Sequence, residues 1–405
     1  MTDSTFVRRG DRAPRLLLLL GQSPFDPTSG AAQSTRLIAE VLAQHGFDVR
    51  ALATTGCEGE LPADHAAVLA EMDLAVTAGP AGSFIRFEHA GVRHALVPVE
   101  PRHKHAWERH VGAAYATEYA RLLADWRPDL VLTFGGDATD AERRRQAQHS
   151  GARVVFALHN LHYRKHPPAA VDAFLAPTHF LTNAYGRHLG APVDVLPPPL
   201  DPGQVLAPVA EAKAVCFINP EPAKGALLVA QLADRLGRNR PDIPLLVVGG
   251  RVPASALVIA GRDLGLDLTR YPNLLQIPPT GRVSEIWGAT RVVLMPSVVR
   301  EAAGRCALEA MLNGAVPLVS DQGGLAEIVG DAGIRLPPPP DLTGRPQPVP
   351  GPIVEAWWKA LIDCFDDQAQ FACLSAAGRV VASRHTVAAV GPAYAAWFAA
   401  KLDKT

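Results

Sequence analysis

The sequence predicts an α/β fold built from two doubly wound domains, and three observations carry that expectation. The first is length: 405 residues exceed what one ordinary core organises and suit two domains of roughly 150 to 200 residues each. The second is a repeated alternation of short apolar runs with stretches of helical period, the pattern of a parallel sheet covered on both faces. The third is the run Pro197-Pro198-Pro199-Leu200-Asp201-Pro202-Gly203, which interrupts the alternation once. Prolines stiffen a connection by fixing φ and removing donors, so the expected domains are 1–198 and 199–385. With 48% hydrophobic residues and a formal net charge of -1, the chain has ample core material and no basic excess that would point to nucleic acid.

In the first half, residues 1–14 read as a loose tail and Leu16 to Leu20 as the first buried strand. Ser29 and Gly30 then open a helix through Leu37, Ile38, Val41 and Leu42. A small-residue turn of this kind lets backbone approach a ligand and aims a helix N-terminus at an anion. Val49–Leu52 is the next strand, and Phe84–Phe87 with His94–Val97 reads as a hairpin around Gly91. Further strands are Asp129–Phe134, Val154–Leu158, Phe174–Ala176 and Val193–Leu196, with a helix from Thr178 to Leu189. Ligands of open α/β sheets bind beyond the C-terminal strand ends, which gives Asp137 and His159 weight by position. Arg143-Arg144-Arg145 reads as a solvated helix face.

The second half repeats the alternation, with strands at Val215–Ile218, Leu245–Val248, Leu274–Ile277 and Val292–Met295. Helices are expected near 223–236, 254–265 and 283–289. A proline-dense stretch from Pro337 to Pro352 reads as an exposed loop, followed by a helix with Trp357 and a last helix from about Val387 to Leu402. The most informative stretch follows Met295. Glu301 lies in the loop, Glu309 lies eight positions later inside a helix that Gly304 can open, and Gly323-Gly324-Leu325-Ala326-Glu327 follows. Glu309 sits among Leu308, Ala310, Met311 and Leu312, so it needs a polar partner.

The Glu301-x7-Glu309 spacing with the following Gly-Gly-Leu-x-Glu resembles the nucleotide-sugar site of retaining GT-B glycosyltransferases of the family-4 kind. The resemblance implies two Rossmann-like domains facing across a cleft, with the terminal helix, 386–405, packing back on the first. It implies a sugar moved from a nucleoside diphosphate sugar to an acceptor with retention, and no metal or other cofactor. By the same resemblance Glu309 takes the ribose hydroxyls, Glu301 the donor sugar and Lys224-Gly225 the diphosphate. His159 stands beside the sugar, and Gly30 faces the diphosphate. The family commonly has an arginine five residues before the lysine. Here that residue is Asn219, so Arg251, Arg300 or Arg305 is expected to supply the cation, with backbone N–H groups near Gly304 and Gly323-Gly324.

A DxD carboxylate pair for magnesium has no convincing candidate, since Asp137 and Asp140 have the wrong spacing, and His105 and His110 are five apart rather than four. The five cysteines are scattered, which suits reduced thiols in the cytoplasm. Membrane contact is expected to be peripheral at most. The alternatives are a GT-B protein that binds nucleotide sugar without turnover, and a nucleotide-sugar epimerase.

Overall fold

The computed structural model describes residues 12–59, 69–70, 74, 83–100, 105–136, 138–186, 188–208, 212–342, 344 and 346–402. Asp137 and most of the expected N-terminal tail lie outside them. The chain divides into two units, Met1–Pro199 with Val387–Thr405, and Leu200–Thr386.

The first unit holds an eight-stranded sheet in the order β3-β4-β2-β1-β5-β6-β7-β8. Its strands are β1 Arg15–Leu19, β2 Asp48–Thr54, β3 Ile85–His89, β4 Val92–Val97, β5 Leu130–Thr133, β6 Arg153–Ala157, β7 Ala173–Ala176 and β8 Val193–Val195. All pairs are parallel except the β3/β4 hairpin. The central strand explains the two covered faces. Leu16 and Leu18 pack with Ile38, Val41 and Leu42 of the helix Gly30–Gln44 and with Val390, Tyr394 and Phe398 of the helix Val387–Ala400. Leu17 and Leu19, pointing the other way as the strand period of two requires, join Tyr115 and Tyr119 of the helix Trp107–Arg121. Each of these leucines is essentially buried and contributes about 1.5–3 kcal/mol.

The arginine triplet departs from its expected solvated face, because Arg143 and Arg144 are buried and only Arg145 is exposed. Each buried guanidinium is compensated. Arg143 donates to Glu108 at 2.8 Å and lies over Trp107 and Tyr115. Arg144 donates to the carbonyls of Gly135 and Ala169 and lies over Phe156. Hydrogen bonds and aromatic faces together make such burial tolerable.

The second unit is a six-stranded, wholly parallel sheet in the order β11-β10-β9-β12-β13-β14. Its strands are β9 Ala214–Ile218, β10 Leu245–Val248, β11 Leu274–Ile277, β12 Thr290–Met295, β13 Val316–Ser320 and β14 Ile334–Leu336. One face packs Val215, Phe217, Val247 and Leu294 on the helices Ala226–Asn239 and Gly351–Asp366. The other packs Cys216, Leu246 and Val293 with Trp287, Leu308 and Met311.

Three local expectations change. The helix expected over 178–189 spans only His179–Tyr185, ending at Gly186. A further helix, Gln368–Ser383, precedes the terminal one, capped by Asp367, which accepts from the Gln370 N–H at 2.9 Å. The proline-dense loop is partly buried: Pro339 is covered, the Pro337 carbonyl accepts from Trp357 Nε1 at 2.9 Å, and the Val349 N–H donates to Gln231 at 2.7 Å. Among the described residues, no helix is long and apolar enough to cross a membrane.

Candidate functional site

In the second unit, β9 and β12 are neighbours, so the loops leaving their C-terminal ends meet. After β9 the chain makes a short 3-10 turn, Pro222–Lys224, and Gly225 opens the helix Ala226–Asn239. Gly225 has φ +88°, and a Cβ there would run into the Pro296 carbonyl oxygen just beyond β12. Only glycine fits both demands. The Val298 N–H donates to the Ala223 carbonyl at 3.0 Å and ties the two loops together.

That junction sets Lys224 Nζ 2.8 Å from Glu301 Oε2. The other carboxylate oxygen of Glu301 accepts from the buried Ser297 hydroxyl. Gln322 holds the loop from below, donating to the carbonyls of Ser297 at 2.9 Å and Val298 at 3.0 Å. Gly323, at φ +69°, passes so close under the acid loop that a Cβ would lie 2.9 Å from the Glu301 carbonyl oxygen. The Gly324 N–H donates to that carbonyl at 2.8 Å. This corrects one expectation: the Gly324 N–H positions Glu301 rather than offering itself to an anion.

Glu309 lies in the helix Arg305–Leu312, buried to within 4%. Among the described residues its carboxylate has two hydrogen-bond partners. Arg305 Nε donates to Oε1 at 2.6 Å, and Trp287 Nε1 donates to Oε2 at 3.1 Å. The need for a polar partner is therefore met within the fold, and the unused lone pairs of both oxygens are what a further donor would meet. Arg305 Nη1 is buried without a hydrogen-bond partner among the described residues. Gly304 precedes this helix, and a Cβ there would lie 2.5 Å from Leu325 Cδ1, so its smallness serves close packing. Cys306 gathers the charges into one neighbourhood. Burial pushes its thiol up to about 12, and Glu309, Lys224, Glu301 and Arg305 all act on it.

Asn219 adopts φ +60°, a conformation asparagine tolerates better than most residues. Its Nδ2 donates to Glu221 at 2.8 Å, and its side chain packs beneath Gly250 in the turn after β10. It is thus a pin for the turn that carries Arg251. Arg251 and Arg300 are exposed, whereas Arg305 is mostly buried against Glu309.

His159 and Gly30 belong to the first unit. His159 follows β6, with Nε2 2.9 Å from Thr35 Oγ1 and its ring edge-on to Phe134 at 5.1 Å. Burial pushes its imidazole down to about 4, so it is neutral at pH 7. Gly30 is exposed at the start of its helix with nothing within 4 Å of an added Cβ, and the preceding Ser29 caps that helix. Sequence reasoning missed Ser297, Trp287 and Thr35. Ser297 could be sought four residues before the acid, but Trp287 lies 22 residues from Glu309 and Thr35 lies 124 from His159, separations that leave no local signal.

The two Rossmann-like units give the chain the GT-B fold. Residues 204–341 match the family model for glycosyl transferases group 1, about a third of the chain and all of it within the second unit. No curated protein matches the chain in sequence. Among solved structures, sucrose-phosphate synthase from Thermosynechococcus elongatus is 17% identical, with TM-score 0.68 over 95% of this chain and 100% of that one. A glycosyltransferase from Rickettsia africae is 13% identical, with TM-score 0.67 over 97% and 100%. Anabaena HepE in complex with UDP-glucose is 16% identical, with TM-score 0.63 over 95% and 99%. At these identities the likeness is one of fold.

Proposed function

We propose that the protein transfers a glycosyl group from a nucleoside diphosphate sugar to an acceptor hydroxyl, with retention of anomeric configuration and without a metal ion, in the cytoplasm. The observation that supports this most is the Lys224–Glu301 pair at 2.8 Å, inside the segment that matches glycosyl transferases group 1. A nucleotide-sugar donor makes three demands. Its diphosphate needs positive charge, its ribose needs an acceptor for two hydroxyls, and its sugar needs polar groups that hold the anomeric carbon in place as the phosphate leaves. Lys224 meets the first, Glu309 the second and Glu301 the third. With the donor bound, Lys224 shares its charge between Glu301 and the phosphate, and stabilising the departing diphosphate supplies much of the rate. In the retaining reaction the leaving phosphate takes the acceptor proton on the same face of the sugar. Arg251, exposed in the turn pinned by Asn219, takes the role of the absent arginine in this reading.

The test is incubation of the purified protein with UDP-, GDP-, ADP- and dTDP-sugars, beginning with UDP-glucose because Anabaena HepE carries it. Slow donor hydrolysis with one of them, undiminished by EDTA, is expected. Loss in EDTA restored by magnesium or manganese would refute metal independence. Lys224→Met removes one charge-assisted contact of about 1.5–3 kcal/mol and should weaken donor binding roughly ten- to a hundred-fold. Asn219 favours a second reading, a nucleotide-sugar binder without turnover. Tight binding with no turnover, even with acceptor extracts, would select it.

A further inference from the structure

His159 is held from two sides in the first unit, and the direction of its hydrogen bond carries chemical information. Phe134 meets the ring at an interplanar angle of 83° and restricts its rotation. Thr35, wholly buried, lies 2.9 Å from Nε2. A threonine hydroxyl has one hydrogen to donate and two lone pairs. The Thr35 hydroxyl donates to the Ala31 carbonyl at 2.8 Å, one helical turn earlier. What Oγ1 then offers to the imidazole is a lone pair, so the shared hydrogen belongs to Nε2.

We infer that Thr35 is a positioning residue that fixes His159 as its neutral Nε2–H tautomer, leaving Nδ1 as the hydrogen-bond acceptor for a hydroxyl of the sugar. Among the described residues, no group is hydrogen-bonded to Nδ1. The polarity matters because an unprotonated Nδ1 pairs only with a hydrogen-bond donor such as a hydroxyl and repels a carbonyl or phosphate oxygen, whereas an Nδ1–H ring would take any of these oxygens as a partner. The depressed basicity of the ring fits a group that works uncharged. This inference rests on the glycosyltransferase reading for its ligand but not for its tautomer.

The experiment is a long-range ¹⁵N–¹H correlation spectrum of the full chain at pH 7, with His159 assigned by its loss in His159→Gln. A protonated Nε2 and an unprotonated Nδ1 are expected, and an Nδ1–H ring would overturn the inference whatever the protein's activity. Thr35→Val removes the lone pair and should convert the signal to a tautomer mixture. Thr35→Ser, which keeps the hydroxyl, should restore it; a wild-type pattern in Thr35→Val would remove Thr35 from the role. Titration with the four classes of nucleotide sugar should move Nδ1 for one of them and not for the matching nucleoside diphosphate. An Nδ1 signal indifferent to all of them would overturn the hydroxyl assignment while leaving the tautomer result in place. Transfer assays fail separately, since absence of turnover speaks against the proposed activity and not against the hydrogen-bond direction.

Discussion

Replacing Glu309 by glutamine separates the carboxylate's electrostatic work from its shape. Glu309 and Arg305 form an i,i+4 pair at 2.6 Å with side chains only 5% and 14% exposed, and Trp287 donates to the second carboxylate oxygen. Glutamine can accept from only one of these two donors. Its amide NH2 must then face either the indole N–H or the guanidinium, and Arg305, whose Nη1 is already unpartnered, loses its counter-charge. Breaking one partner of a buried pair costs about 3–5 kcal/mol. The lower end applies here, because the part of Arg305 that reaches solvent can relax. About 3 kcal/mol corresponds to a fall in Tm of roughly 6–12 °C for a unit of this size. Arg305→Met in the same chain removes the stranded cation and lets glutamine accept from Trp287, so the double variant should recover most of the loss. Thermal unfolding of the wild type, both single variants and the double, followed by circular dichroism, measures the coupling. A double variant destabilised by the sum of the singles would refute the pairing. Donor binding should stay weak in both variants that carry glutamine, because the charge facing the ribose is absent from each.

Two further substitutions have effects set by local geometry. Gly225→Ala places a Cβ against the Pro296 carbonyl at φ +88°, which costs at least about 1–2 kcal/mol in backbone strain. It should lower both Tm and donor affinity, and an unchanged Kd would show that the turn does not shape the donor site. His94 is buried between Phe25 and Phe87 with both ring nitrogens unpartnered among the described residues, and burial, then Arg36 and His89, push its imidazole down to about 3. The folded ring stays neutral where the unfolded ring takes a proton, so its stabilisation is complete above pH 6.5 and lost as pH falls from 6.5 towards 3. The slope is about 1.4 kcal/mol per pH unit. His94→Phe should flatten the acid limb of the stability profile, and an unaltered limb would refute the assignment.

The parallel sheets were legible because strands buried on both faces are written as continuous apolar runs, as in Leu16 to Leu20 or Val292 to Met295. Other features were not. The helix Gln368–Ser383 packs through Ser375, Gly378 and Ala382, small residues that create no apolar stripe to read. A string of arginines looks the same whether it meets water or the rings of Trp107, Tyr115 and Phe156. Charge alone does not announce burial when the compensating partners come from distant segments.

Within the candidate site the division is similar. The local order of residues is enough to set Arg305 and Glu309 on one short helix opened by Gly304, because helical period and glycine punctuation act over a few residues. It also singles out Lys224-Gly225 as a strand-to-helix turn. Only the tertiary structure decides that Glu301 is shared between Lys224 and Ser297, that Glu309 answers to Trp287 as well as Arg305, and that Asn219 pins a turn. It alone places Thr35 against His159. These contacts depend on which strands lie side by side, and adjacency in a sheet follows from the packing of the whole unit rather than from any stretch of the chain.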